Sequence, residues 1–200
     1  MTVGGRDDQR GTALVVAHEV LGPNEHGERV AARFRRGGCT VLTPNFLTDG
    51  EVYRSTDEKA AYASFTATLG VTGMADALES YARELRADYE RVVCLGFSVG
   101  ATAAWLASAT GVFDAVACFY GSRIRDHADI LPLCSCLAVF AAHEASFDPR
   151  ALVERLSGRQ HVTVELYDCR HGFCDEDSVH HDAEASRLAF RNAARMLGLT

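Results

Sequence analysis

The chain has 200 residues, and its 48% hydrophobic and 24% charged residues exclude a disordered, collagen-like or coiled-coil protein. Its 27 acidic residues outnumber the 20 Lys and Arg residues, and the formal net charge of −7 disfavours binding to nucleic acids or anionic membranes. No apolar run reaches the ~18 residues of a membrane span, and residues 1–10 lack the apolar segment of a signal peptide. We therefore expect one soluble, cytoplasmic domain over residues 1–200, with a flexible N-terminus over residues 1–10.

Short apolar, β-branched runs predict six strands, and helix-period patterns lie between them. A helix is also expected from Pro149 to Leu156, because Asp148 is a typical N-cap before a proline at the first helical position. This alternation predicts an α/β fold with a mostly parallel six-stranded sheet, helices on both faces and no large cap domain. The predicted strands are Ala13–Ala17, Cys39–Thr43, Arg91–Leu95, Asp114–Tyr120, Cys136–Ala141 and His161–Tyr167.

The third strand is followed by Gly-Phe-Ser-Val-Gly at residues 96–100 and then by a helix of small residues. A serine flanked by glycines between a strand and a helix is typical of a nucleophile elbow, a sharp turn that exposes the hydroxyl. Such a serine needs a base to accept its proton and an acid to orient that base. The motif predicts Ser98 as a nucleophile.

The candidate base is His171, which comes just after the last predicted strand, where enzymes with this elbow carry their histidine. The other seven histidines are expected at surface or helix positions. Two acids follow the fifth strand: Glu144, which we favour, and Asp148, whose N-cap position already gives it a structural role. The backbone N–H groups of Val99 and Val20 are the candidate oxyanion hole.

From Thr12 to the last helix, the sequence resembles the dienelactone hydrolase family of α/β hydrolases. Four stretches carry the resemblance: His18–Gly22 with Asn24, Val41–Asn45, the elbow at Gly96–Gly100, and Phe119–Gly121 with His171–Phe173. The resemblance implies an α/β-hydrolase fold, a triad of Ser98, His171 and an acid near Glu144, and a carboxylate at Glu19 beside the nucleophile. We add Tyr120 and Arg123 as candidates for supporting the triad or binding substrate.

The sequence departs from the family pattern at several positions. The family enzyme has a cysteine nucleophile where Ser98 stands, and its acidic residue falls on Ala145. An arginine that holds the substrate carboxylate there corresponds to Asp175. The chain also begins almost at its first parallel strand, so the antiparallel strands that open many α/β hydrolases are expected to be missing.

These residues together predict a cofactor-independent serine hydrolase of a small ester or lactone, acting as a monomer or homodimer. The alternatives are an acyl transferase or cyclase of a biosynthetic pathway, or a catalytically degenerate binding protein, because a fold does not fix a function. A metal site at Cys134, Cys136, Cys169, His171 and Cys174 is disfavoured by its spacing and would use the candidate base.

Overall fold

The computed structural model describes residues 11–35, 38–48 and 50–199 of the chain, so the expectation for residues 1–10 lies outside the described residues. Strands and helices alternate along it. The strands are β1 (Thr12–Ala17), β2 (Thr40–Leu42), β3 (Arg91–Phe97), β4 (Ala115–Phe119), β5 (Ser135–His143) and β6 (Val162–Arg170). The helices are α1 (Glu25–Arg35), α2 (Glu58–Thr68), α3 (Gly70–Leu85), α4 (Val99–Ala107), α5 (Pro149–Leu156) and α6 (Ala183–Leu197), with 3₁₀ turns at Ser55–Asp57 and Ser122–His127.

The six strands form one parallel sheet in the order β2-β1-β3-β4-β5-β6, which confirms the predicted fold class. The chain moves outward from β1 to β2 and then returns past β1 to β3, so the strand order reverses between β1 and β3. At this reversal Ala17, the last residue of β1, pairs with Gly96 of β3. Loops that leave adjacent strand ends in opposite directions open a crevice there, which is where open α/β sheets place ligands.

Helices cover both faces of the sheet, and each face has its own apolar core. One core contains Trp105 of α4 with Met74 and Leu78 of α3, all fully buried. The other contains Phe34 of α1 and Phe190 of α6, whose rings pack edge to face with centroids 6.4 Å apart. β1, β3, β4 and most of β5 are buried along nearly their whole length because both of their faces are covered.

The strand ends differ from their predicted positions in a way that matters for the site. β3 continues two residues further than predicted, and β6 continues three residues further, so that Ser98 and His171 each come directly after a strand. The helix α2, between β2 and α3, was not predicted, and Phe65 of this helix is buried in the core. The start of α5 is confirmed, since the Asp148 carboxylate accepts a hydrogen bond from the N–H of Arg150 at 3.0 Å.

No separate cap domain is present in the described parts of the chain. Within the same ranges, every helix is too short or too polar to cross a membrane.

Candidate active site

Ser98 occupies a strained turn between β3 and α4. Its backbone has φ 51° and ψ −111°, a conformation that a residue with a side chain adopts rarely and at a cost. The turn is held on both sides, because the Ser98 N–H donates to the Phe119 carbonyl at 3.0 Å and the Ser98 carbonyl accepts from Thr102 N–H at 3.1 Å. This geometry is that of a nucleophile elbow, in which the strain presents the hydroxyl away from the backbone.

The two glycines of the elbow motif are required by close packing of the backbone. A Cβ on Gly96 would lie 2.4 Å from the Gly100 carbonyl oxygen. A Cβ on Gly100 would lie 2.3 Å from the carbonyl oxygen of Ala17 and 2.4 Å from that of His18. Backbone atoms cannot move aside as a flexible side chain can, so only glycine allows α4 to start this close to the end of β1.

His171 follows β6 and forms a hydrogen bond with Glu144, which follows β5. The distance between His171 Nδ1 and Glu144 Oε1 is 2.8 Å. A carboxylate can only accept, so Nδ1 carries the proton and Nε2 keeps its lone pair. The Glu144 side chain is 5% exposed and the imidazole 37% exposed, so water has little access to the carboxylate while the ring remains open to the site.

A β-bulge explains why Glu144, and not the next residue, meets the histidine. Along the regular part of the pair, β5 and β6 align with a constant offset of 26, as in Ala141 with Tyr167. The bulge adds one residue to β6, so that His143 pairs with Arg170 and the offset becomes 27. Continued past the strand ends, this offset places Glu144 opposite His171. The unbulged offset would have placed Ala145 there.

Asp148, the alternative acid, serves instead as the N-cap of α5 and is exposed. His171 is hydrogen-bonded to Glu144 and not to Asp148.

The Glu144 carboxylate also sets the protonation behaviour of His171. Burial by itself lowers the pKa of the imidazole, but the hydrogen bond and the charge of Glu144 outweigh it, with smaller contributions from Glu19 and Glu58. The resulting pKa lies above the ordinary value of 6.5. Glu144 therefore stabilises the protonated imidazole that forms when His171 accepts a proton.

The candidate oxyanion hole consists of the backbone N–H groups of Val99 and Val20. Val99 begins α4, so its N–H has no partner within the helix and lies at the positive end of the helix dipole. Val20 lies in the loop after β1, which packs against Gly100. Among the described residues, neither N–H donates a hydrogen bond to another protein group.

The loop after β1 is held in place by His18, which is 5% exposed. Its Nδ1 lies 2.7 Å from the Glu19 carbonyl, and its Nε2 accepts from the Phe46 N–H at 2.9 Å, so the ring is neutral with the proton on Nδ1. Burial lowers its pKa, in keeping with the neutral form. The expectation that His18 occupies a surface or helix position is therefore wrong.

Glu19 is partly buried in the same loop, and its carboxylate accepts a hydrogen bond from Asn24 Nδ2 at 3.4 Å. Burial raises its pKa, and the neighbouring Asp175 carboxylate raises it further, while Asn24 and His171 act in the opposite direction. The charge of Glu19 therefore interacts with both His171 and Asp175.

Comparison with known proteins identifies the family of this chain. The sequence profile of the dienelactone hydrolase family matches residues 2–199. The chain belongs to this family. A curated relative, the uncharacterized protein YczH of Bacillus subtilis, is 37% identical over 169 residues, which cover 84% of this chain and 83% of YczH.

Solved structures show the same fold at lower identity. A putative dienelactone hydrolase from Klebsiella pneumoniae superposes with a TM-score of 0.79 at 16% identity, covering 98% of this chain and 90% of that one. A dienelactone hydrolase-like promiscuous phosphotriesterase from metagenomic libraries gives a TM-score of 0.73 at 17% identity, over 96% and 87% of the two chains. An α/β serine hydrolase without a lid from Xanthomonas campestris gives 0.66 at 22% identity, over 94% and 84%.

Two candidates of this dienelactone hydrolase family member remain, Tyr120 and Arg123. Tyr120 is fully buried with its ring centroid 4.9 Å from that of His171, so it packs against the imidazole. Arg123 forms an ion pair with Asp126, with Nε 2.5 Å from Oδ2. Its guanidinium therefore already has a protein partner.

All seven cysteines are free thiols, and six of them are buried. In the described ranges, no three His, Cys, Asp or Glu side chains are arranged to hold a metal ion.

The sequence did not reveal the contact between α1 and the loop after His171. Arg29 of α1 donates to Asp175 Oδ1 at 3.1 Å and also bonds Asp177. His26, on the same helix, is 4% exposed, with Nδ1 3.5 Å from Asp175 Oδ1. The sequence contains an acidic run at residues 175–177 and an arginine in the predicted helix after β1, but it does not show that the two meet.

Proposed function

We propose that this family member is a serine hydrolase that cleaves a small carboxylic ester or lactone through an acyl-enzyme on Ser98. The observation that carries the proposal is the hydrogen bond between Glu144 and His171 beside a serine held in an elbow turn. It supports a nucleophile after β3, a base of defined tautomer after β6 and an orienting acid after β5, all at the carboxyl ends of strands of one parallel sheet.

In the proposed first step, the Ser98 hydroxyl oxygen attacks the carbonyl carbon while His171 Nε2 takes the hydroxyl proton. The oxyanion that forms is held by the N–H groups of Val99 and Val20, each worth about 3 kcal/mol in comparable sites. Collapse breaks the bond to the leaving alkoxide, which receives the proton from His171. Water then attacks the acyl-enzyme with His171 as base, which releases the acid and restores Ser98.

In the structure, Ser98 forms no hydrogen bond with His171 among the described residues. In unliganded serine hydrolases this contact is often long and tightens only when substrate binds. The proposal therefore predicts that the pair closes in the complex.

The test is covalent labelling with a fluorophosphonate, followed by intact-protein mass spectrometry, together with turnover of p-nitrophenyl acetate. Wild type should gain one label at Ser98 and release p-nitrophenol catalytically. Ser98→Ala should do neither while keeping its circular dichroism spectrum. A folded wild type that is neither labelled nor active would refute the proposal.

The same assay separates hydrolysis from acyl transfer, the alternative function. A hydrolase releases acetate at the rate of p-nitrophenol, whereas a transferase releases p-nitrophenol in a single burst until an acceptor alcohol is added. The proposal includes a reducing, cytoplasmic location, which the seven unpaired cysteines support.

A further inference from the structure

A cleft of about 1000 Å³ lies beside the candidate active site. It is lined by the loop after β1, the first turns of α1, the segment 52–56 and the loop after His171. This volume is enough for a small organic ligand.

The walls of the cleft include segments that neighbour the candidate site residues in the chain. Leu21 lines it directly after Val20, and Asp175 lines it four residues after His171. Asn24, a third wall residue, donates to Glu19. The opposite wall is fixed because the Tyr53 N–H donates to the Leu21 carbonyl at 2.8 Å.

The walls of the cleft have an apolar part and an acidic part. Leu21, Pro23 and Val52 give apolar surface for a carbon chain. Four carboxylates, those of Glu25, Glu28, Asp175 and Asp177, face two arginines, Arg29 and Arg54, so the formal charge of the lining is −2.

Both arginines are already paired with carboxylates. Arg29 bonds Asp175 and Asp177, and Arg54 Nε lies 3.2 Å from Asp57 Oδ2. His26 adds no positive charge, because burial lowers the pKa of its imidazole. An anionic substrate group would therefore enter a negative cleft that offers no unpaired cation within the described ranges, whereas a cationic group would be attracted.

We propose that this cleft binds the substituent of the ester and selects cationic or neutral substituents over anionic ones, with Asp175 and Glu25 as specificity residues. The inference rests on the proposed function, since it names the substrate class of the same site.

The test uses three acetate esters that differ in the charge of the alcohol: acetylcholine, 3,3-dimethylbutyl acetate and 3-sulfopropyl acetate. With hydrolysis followed by pH-stat at low salt, we expect kcat/KM to fall in that order. The first and last should differ at least tenfold, which corresponds to 1.4 kcal/mol. Added NaCl should reduce the difference, because it screens the cleft charges.

Two variants locate the charge that matters. Asp175→Asn and Glu25→Gln should each reduce the ratio of kcat/KM for acetylcholine to that for 3-sulfopropyl acetate about threefold or more. The Glu25 side chain is 91% exposed, so this substitution leaves the fold intact even if Asp175→Asn disturbs Arg29. The matched control is Asp129→Asn, an exposed carboxylate paired with Arg155 away from the cleft, which should leave the ratio unchanged.

Failure of this inference is distinguishable from failure of the proposed function. Equal use of the three esters, or preference for the anion, by a protein that hydrolyses p-nitrophenyl acetate would overturn the inference alone. Ser98→Ala, titrated with the same three esters and monitored by NMR, gives a readout that needs no activity. Binding that is no tighter for the cation than for the anion would also overturn it.

Discussion

Replacing Glu144 with Gln tests the most specific contact of the proposed site. The carboxylate accepts the Nδ1–H of His171 at 2.8 Å, and its side chain is only 5% exposed, so water cannot take its place. The amide can present an N–H to Nδ1, which favours the tautomer with the proton on Nε2 and removes the base. An equivalent change in a serine protease triad lowers kcat about 10⁴-fold. We expect a fall in kcat of about 10³- to 10⁴-fold, or about 4–5.5 kcal/mol.

The pH profile gives a second signature of the same change. His171 acts as base only when it is neutral, so kcat/KM falls as the pH drops through its pKa, which Glu144 holds above 6.5. In Glu144→Gln, burial acts without the compensating carboxylate, and the acid limb of the profile should move to lower pH.

The assay is p-nitrophenyl acetate hydrolysis between pH 5 and 9, with urea unfolding to verify the fold. Asp148→Asn is the control, because Asn caps a helix as well as Asp and Asp148 makes no contact with His171. A Glu144→Gln variant within threefold of wild type, with an unmoved acid limb, would refute the assignment of the acid.

Three further predictions follow from the geometry. Adding Ala145→Asp to Glu144→Ala should not restore p-nitrophenyl acetate hydrolysis, because the bulge keeps residue 145 out of line with the base; recovery of more than tenfold would contradict the register argument. Gly100→Ala should lose about 3 kcal/mol or more in urea unfolding, since its Cβ would meet the carbonyl oxygens at the end of β1, whereas Gly11→Ala, with nothing within 4 Å, should be neutral. Burial lowers the pKa of His18 in the folded protein, so the unfolded state binds more protons and the stabilising contribution of neutral His18 is lost as pH falls below 6.5. The free energy of unfolding of His18→Gln should therefore depend less steeply on pH in this range than that of wild type. An equal slope in the two proteins would count against this reasoning.

The sheet and the turn at Ser98 could be predicted because their signals are local. Strand runs such as residues 92–95 are apolar throughout, and the glycines around Ser98 mark a turn that only they allow. His171 was identified from chain order alone, because in this fold the base follows the last strand. Each of these inferences needed only neighbouring residues or a fixed order of elements.

The cleft could not be predicted because it depends on residues far apart in the chain. Arg29 and Asp175 are 146 residues apart and meet only when α1 packs beside the loop after β6. Hydrophobic periodicity places helices on a face of the sheet but does not tell which charged side chains meet at the rim. The burial of His18 was missed for the same reason, since its partner Phe46 belongs to a loop without periodicity.

The acid shows how one residue of register decides a site. A strand pattern predicts which residues are buried, but it does not reveal an extra residue in the neighbouring strand. An ungapped comparison from Pro149 places the family's aspartate on Ala145, the residue that the unbulged offset of 26 between β5 and β6 would set opposite His171. The bulge on β6 advances His171 by one position, and a glutamate at residue 144 then reaches Nδ1 at 2.8 Å. Within the proposed mechanism, the shift of the acid and the bulge are one structural change, since neither alone would bring a carboxylate to His171.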